Sequence, residues 1–175
     1  MPADKGSHWF AIKTRNDFRA EEILRPLCDE VYFPTRTMTM PSGKTRVKAI
    51  IPHVLFIRTT RDKALEYERL SRQLVDIPIS FWIYRYPNST QIQPIDDESI
   101  KLVKLLTAED STRCEIFSPT AFKEKDHVRI TGGIYEGYEG YVQRVRKNKH
   151  VVVKIEGVCL IMLPFIHPDL LEIIP

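Results

Sequence analysis

The sequence predicts an α+β protein in two parts, an antiparallel sheet with flanking helices followed by a small β-barrel. Three observations predict this. Strand-like and helix-like runs alternate through the first 110 residues. From residue 127 onward the helical period disappears, and short runs of β-type residues follow one another closely. Four of the seven glycines crowd into one stretch, DHVRITGGIYEGYEGYVQRV, residues 126–145.

The elements follow in order. HWFAIKT, His8 to Thr14, reads as a strand. Asn16 or Asp17 suits a helix N-cap, and Ala20, Ile23, Leu24 and Leu27 share a helical face until Pro26 limits the helix. Val31-Tyr32-Phe33 is a second β-rich run. Residues 36–48 read as a hairpin turning at Pro41-Ser42-Gly43. Ala49 to Arg58 reads as one longer strand in which Pro52 marks a bulge or an edge. Asp62 is the expected cap of a helix carrying Ala64, Tyr67, Leu70 and Leu74. Phe81 to Tyr84 is another strand. Asp96-Asp97-Glu98 places acids at the start of a third helix with Ile100, Val103 and Leu106 on one face, where negative charge suits the helix dipole. The order β-α-β-β-α-β-α favours helices packed on a mostly antiparallel sheet.

Residues 110–125 are polar, interrupted by Pro119 and without a sustained period, which reads as a linker with local docking at Phe117 and Phe122. The expected boundaries are therefore 1–110, a linker at 111–122, and 123–175. Strands are expected at 127–131, 140–145, 150–155, 158–163 and 170–174, a five-stranded barrel. Gly132, Gly133 and Gly137 supply the sharp turn after its first strand. Gly140 leaves bare backbone where a neighbouring strand approaches closely. Val151-Val152-Val153 and the glycines disfavour helix, so the segment should be β throughout.

Composition bounds the chemistry. With 43% hydrophobic and 28% charged residues, the 175-residue chain has an ordinary globular balance, and a net charge of +3 permits nucleic acid without demanding it. No apolar run approaches a membrane span, and MPADKGSHWF has no signal core, so a cytoplasmic protein without membrane contact is expected. Cys28, Cys114 and Cys159 form no CxxC knuckle. The five histidines show no HExxH spacing. Gly137 is followed by Tyr138-Glu139 rather than Lys-Ser/Thr, which excludes a P-loop. No catalytic residue, metal or cofactor is expected.

Val128-Arg129-Ile130, Gly132, Gly133, Tyr135, Gly137, Gly140 and Val142 resemble the KOW motif, which implies an SH3-like barrel. Trp9-Phe10, Val31-Tyr32-Phe33-Pro34-Thr35, Ile51-Pro52-His53-Val54, and Gln93-Pro94-Ile95 before an acid-capped helix resemble, in that order, the NusG N-terminal (NGN) domain. The ordered set resembles the NusG family over nearly the whole chain. The short linker, small hairpin and Ile-Ile-Pro-His-Val stretch are most similar to the specialised UpxY- and RfaH-type antiterminators. In RfaH-type relatives the barrel segment can instead form a helical hairpin.

The resemblance implies a non-enzymatic, monomeric factor that binds the clamp region of RNA polymerase and suppresses pausing or termination. It also implies contact with non-template DNA or leader RNA, and a ribosomal protein or termination factor recruited through the KOW barrel. Ile51, Pro52, His53, Phe81, Trp82 and Tyr84 are its polymerase-facing candidates. Alternate strand residues face opposite ways, so Phe81 and Trp82 cannot both be surface; which is core stays open. Arg15, Arg19, Arg36, Lys44, Arg46 and Lys48 are candidates for phosphate contact, against the plainer reading of a hairpin edge guarded by charge. In the barrel, Tyr135, Tyr138 and Tyr141 among Arg144, Arg146, Lys147 and Lys149 suit protein recognition, or base stacking in an RNA- or ribosome-binding KOW protein.

Overall fold

The computed structural model describes residues 6–108, 115–122, 125–155 and 157–175. The chain divides into two units, 1–109 and 110–175. Cys114 and its neighbours 109–113 lie outside the described residues.

The first unit is built on a five-stranded antiparallel sheet. Strand β1 (Ser7–Thr14) is central; β5 (Val54–Thr60) lies on one side, with β2 (Glu30–Tyr32) beyond it. On its other side β1 pairs with both β6 (Phe81–Ile83) and β7 (Pro94–Ile95), using residues 12–14 for β6 and 9–10 for β7. Residues paired across antiparallel strands share a face. The registers Phe10↔Ile57, Ile12↔Leu55, Ile12↔Ile83, Thr14↔Phe81 and Val31↔Ile57 thus define one face. That face is the core. Phe10, Ile12, Leu55, Ile57 and Phe81 are almost fully buried, with Ala20 and Leu24 of α1 (Asp17–Leu24) and Ala64 of α2 (Arg61–Gln73) in the same cluster.

Local chemistry sets the helix ends. Helix α1 stops at Leu24, so Leu27 falls outside it and is exposed; Pro26 cannot continue the hydrogen-bond ladder. The α2 cap is Thr60, whose hydroxyl accepts the Lys63 N–H, and Asp62 sits in the first turn. Leu74, expected on the α2 face, closes the helix in the left-handed conformation and is 59% exposed. Helix α3 (Asp97–Leu106) buries Ile100, Leu102, Val103 and Leu106. Its cap Asp96 accepts the Ser99 N–H at 2.7 Å, beside Asp97 and Glu98 in the first turn. Asp96→Ala should therefore cost about 1 kcal/mol. Urea unfolding of the variant measures it, and an unchanged midpoint would show that the two flanking acids suffice.

Ala49 to Arg58 is not one strand. Ala49 ends β4 (Thr45–Ala49), which forms a separate two-stranded sheet with β3 (Thr35–Thr39). Residues 50–53 turn between β4 and β5. Pro52 has no N–H for a ladder, and His53 takes φ 67°, incompatible with a strand.

The second unit is a six-stranded antiparallel sheet in the order β13-β9-β10-β11-β12-β8. These are β9 (His127–Ile130), β10 (Glu139–Val145), β11 (Asn148–Ile155), β12 (Cys159–Met162), β13 (Leu171–Ile173) and β8 (Glu115–Phe117). Val151, Val152 and Val153 lie in β11, as their branching favours. The sixth strand comes from the stretch read as linker: Phe117, Ile116 and Glu115 pair with Leu160, Ile161 and Met162. One face of this sheet buries Val128, Ile130, Val151, Val153, Ile155 and Ile161. On the opposite face Val152, Leu160 and Met162 are also buried, packed against Phe117, Phe122 and Val145. Residues 115–122 therefore cover an apolar strip on the far side of the barrel sheet.

Candidate functional site

The face of the first sheet opposite its core carries Trp9, Ala11, Lys13, Tyr32, Phe56 and Trp82, by the registers Ala11↔Phe56, Lys13↔Trp82 and Tyr32↔Phe56. Helix α3 closes part of it. Lys104 Nζ lies 5.1 Å from the Trp9 ring centroid and 5.4 Å from that of Tyr32, and pairs with Glu30 at 2.7 Å. The Tyr32 hydroxyl bonds the Thr107 hydroxyl. Trp82 stays 44% exposed.

The alternation left open in the sequence is decided by register. Phe81 pairs with Thr14 on the core face and is fully buried, so it is withdrawn from the candidate surface. Ile51 is likewise only 4% exposed: it turns inward while its neighbours Pro52 and His53 are exposed. Tyr84 is half-buried. His53 is held from both sides. Its N–H donates to Asp17 Oδ2 at 3.0 Å and its carbonyl accepts the Thr14 N–H at 3.0 Å, which stabilises the left-handed turn that displays Pro52.

Trp82 borders an open groove of about 510 Å³ lined also by Arg15, Leu74, Pro78, Ile79 and Ser80. Two sequence candidates, Trp82 and Arg15, thus meet in one place. Leu74 and its neighbour Val75, 48% exposed, extend the apolar rim. Sequence reasoning missed Leu74 as surface, because its spacing continued the helical period of Ala64, Tyr67 and Leu70. Arg19 points elsewhere, in an i,i+3 pair with Glu22 at 2.8 Å.

The remaining basic candidates sit on the β3–β4 hairpin. Arg36 lies opposite Lys48, and Met38 opposite Arg46, on one face; Thr35, Thr37, Thr39, Thr45, Val47 and Ala49 make the other. The turn closes through Met40 and Lys44, with Gly43 at φ 83°.

In the second unit, Gly137 takes φ 91° and its N–H closes the loop onto the Ile130 carbonyl at 2.8 Å. A Cβ on Gly140 would stand 2.5 Å from the Val152 carbonyl oxygen, so the close approach expected there is real. Tyr135 and Tyr138 are half-buried in this loop, with Tyr138 N–H bonded to the Tyr135 carbonyl. Tyr141 stacks on His127 with ring centroids 4.5 Å apart. A second groove, about 340 Å³, runs between Val142, Val151, Phe165, Leu171 and Ile173. Phe165 and Ile173 are 64% and 82% exposed. Neither belongs to a motif, and both lie in a strongly apolar stretch, so composition alone does not mark them as surface.

Nothing in these surfaces favours covalent chemistry. Burial pushes the Cys28 thiol up to about 11 and the Cys159 thiol to about 12, so both stay protonated at neutral pH. Among the described residues no group of three or more His, Cys, Asp or Glu could hold a metal ion, and no helix is long and apolar enough to cross a membrane.

No family model matches the chain. A curated protein of Borreliella burgdorferi, the transcription termination/antitermination protein NusG, is 27% identical over 172 residues, covering 85% of this chain and 90% of its own. An alignment of that extent cannot fit within either unit alone, since the larger ends at residue 109. It joins an α+β unit and a small β unit in the order that the motifs give. The chain is thus similar to the NusG family through both of its units.

Proposed function

We propose that this protein is a transcription elongation and antitermination factor that binds bacterial RNA polymerase in the cytoplasm and suppresses pausing or termination, without enzymatic activity of its own. The observation that carries this reading is the similarity to NusG through both units. The similarity to UpxY-type factors stated above supports action on a particular operon, such as one for surface polysaccharide synthesis. The first unit engages the polymerase clamp through the exposed strip at Trp82, with Pro52 and His53 beside Asp17. Apolar contact supplies the affinity, and an exposed Trp rimmed by Leu74 and Val75 suits an anchor of that kind. Arg15 in the groove and the hairpin cations serve nearby nucleic acid. The second unit, with Gly132, Gly133, Tyr135, Gly137 and Gly140 as its KOW residues, recruits a ribosomal protein or termination factor through its apolar groove.

The test is capture of purified bacterial RNA polymerase by the full chain and by Trp82→Ala. Because Trp82 is a surface side chain, its loss should leave the fold intact while cutting capture roughly tenfold or more, as expected for an anchor worth at least 1.4 kcal/mol. Equal capture by both would move the surface away from this strip. No capture by the native chain would overturn the reading.

A further inference from the structure

We infer that Asp17, at the junction of β1 and α1, is a positioning residue for the polymerase-facing surface: it holds the Pro52–His53 turn in the backbone shape that displays it. This rests on the polymerase reading of that surface and adds a residue that acts through another.

The turn carries a strain that its own sequence does not relieve. His53 takes φ 67°, a region open to glycine at no steric cost but unfavourable for a residue with a Cβ. Without an outside restraint His53 would relax to negative φ, and the direction of Pro52 would change with it.

The restraint comes from 36 residues away, where Asp17 Oδ2 accepts the His53 N–H at 3.0 Å. The other oxygen, Oδ1, accepts the Phe18 N–H at 2.9 Å in the first turn of α1. Bonds from backbone N–H to a carboxylate are of the stronger, charge-assisted kind. The Asp17 side chain is only 13% exposed, so little water competes for it, whereas that of His53 is 57% exposed. The imidazole Nδ1 stands 4.0 Å from the same Oδ2, beyond hydrogen-bond reach. The clamp therefore acts on the backbone and leaves the ring free for contact. An acid in the first turn of a helix is ordinarily explained by the helix dipole. That account needs the charge, but not a bond to a turn on another element.

The same junction reaches the other half of the surface. Thr14, which is 1% exposed, donates its N–H to the His53 carbonyl at 3.0 Å and its hydroxyl to the Ser80 carbonyl at 2.9 Å. Ser80 lines the groove beside Trp82. Residues 14–17 thus tie the Pro52–His53 turn and the Trp82 groove to one short piece of backbone. A docking face assembled from separate segments binds best when its parts are held in place beforehand.

The experiment is a titration of purified bacterial RNA polymerase with the full chain as native protein, Asp17→Ala, His53→Gly and the double variant. Asp17→Ala should weaken capture roughly tenfold, because a smaller fraction of molecules then presents the turn. In the His53→Gly background the same change should have no effect, since glycine holds positive φ without a clamp. Asp17→Asn keeps an acceptor oxygen and should retain most of the native affinity. A role confined to the stability of α1 would not be cancelled by glycine at position 53. Equal weakening in both backgrounds, or none in either, would overturn the proposal. Amide hydrogen exchange reads the clamp without polymerase. The His53 N–H should be protected in the native chain and exchange freely in Asp17→Ala, while the amides of α2 stay protected. If the native chain captures no polymerase, the proposed function falls and this exchange pattern alone decides on the clamp. Equal exchange at His53 in both chains would overturn it.

Discussion

Glu68→Ala should destabilise the first unit by about 2–4 kcal/mol, lowering its Tm by roughly 10 °C or more. Glu68 is 4% exposed on the inner face of α2. Its carboxylate accepts the Ile83 N–H at 2.7 Å and two N–H groups of Arg85 at 2.6 and 3.0 Å, with Arg72 at 3.6 Å. Alanine leaves all of these donors without their acceptor. Removing one member of a buried pair typically costs about 3–5 kcal/mol. The Arg85 side chain is 27% exposed and can turn toward water, which lowers the expected cost to about 2–4 kcal/mol. Glu68→Gln keeps an acceptor for Ile83 but not the charge, and should cost about half as much. Both tryptophans, Trp9 and Trp82, belong to the first unit, so their fluorescence during urea unfolding reports on it alone. A midpoint shift no larger than that of a surface substitution would refute the prediction.

The same carboxylate gives the unit an acid limit. Burial alone would raise the Glu68 pKa. The Arg85 hydrogen bonds, the Ile83 N–H and the Arg85 and Arg72 charges overcome that and hold it below the ordinary carboxylate value of 4.5. A folded-state pKa below the unfolded one means that protonation favours unfolding. The contribution is complete above the ordinary value and is lost as pH falls through the lower, folded-state one. The stability gap between native and Glu68→Ala chains should accordingly narrow as pH drops below about 4.5. The consequence reaches the candidate surface. Arg85 also donates to the Ile83 and Thr90 carbonyls, so the ion pair fixes the strand that displays Trp82.

What was legible in the sequence was what local periodicity and capping encode. β1, α3 with its Asp96 cap, the hairpin turn and the β character of Val151–Val153 all depend on neighbours a few residues away. What was not legible depends on distant partners. Glu68 looks like any solvated acid on a helix, because the groups that make it buried, Ile83 and Arg85, lie 15 and 17 residues further on. Ala49 to Arg58 reads as continuous β sequence, and only the Asp17 clamp on His53 shows where it breaks. Phe81 and Trp82 are equivalent by composition, and the pairing of Phe81 with Thr14 decides between them. Of the six candidates Pro52, His53 and Trp82 are exposed while Ile51 and Phe81 are buried, a split set by side-chain direction, which composition does not encode.

The stretch read as linker carries the second large effect. A chain trimmed to begin at residue 123 should be far less stable than one beginning at residue 115, to the point of losing cooperative melting near room temperature. The shorter chain lacks the β8 ladder to β12 and the edge-to-face pair Phe117–Phe122, whose centroids are 4.9 Å apart. It bares Val152, Leu160 and Met162, each now buried to within a few per cent. Exposing three such side chains costs on the order of 5 kcal/mol, at about 1.5–3 kcal/mol for each. A unit of this size commonly has no more than that in total. The bidentate Arg146–Glu115 pair goes too, but it is surface-exposed and contributes little. In the intact protein, Phe117→Ala with Phe122→Ala removes the cover while keeping the strand, and should reproduce about half of the loss. Thermal melts by far-UV circular dichroism, with a dye that lights up on exposed apolar surface, separate the cases. Equal melting of the two trimmed chains, without dye binding, would mean that the strip on β11 and β12 tolerates water and that residues 115–122 lie on the barrel sheet without holding it.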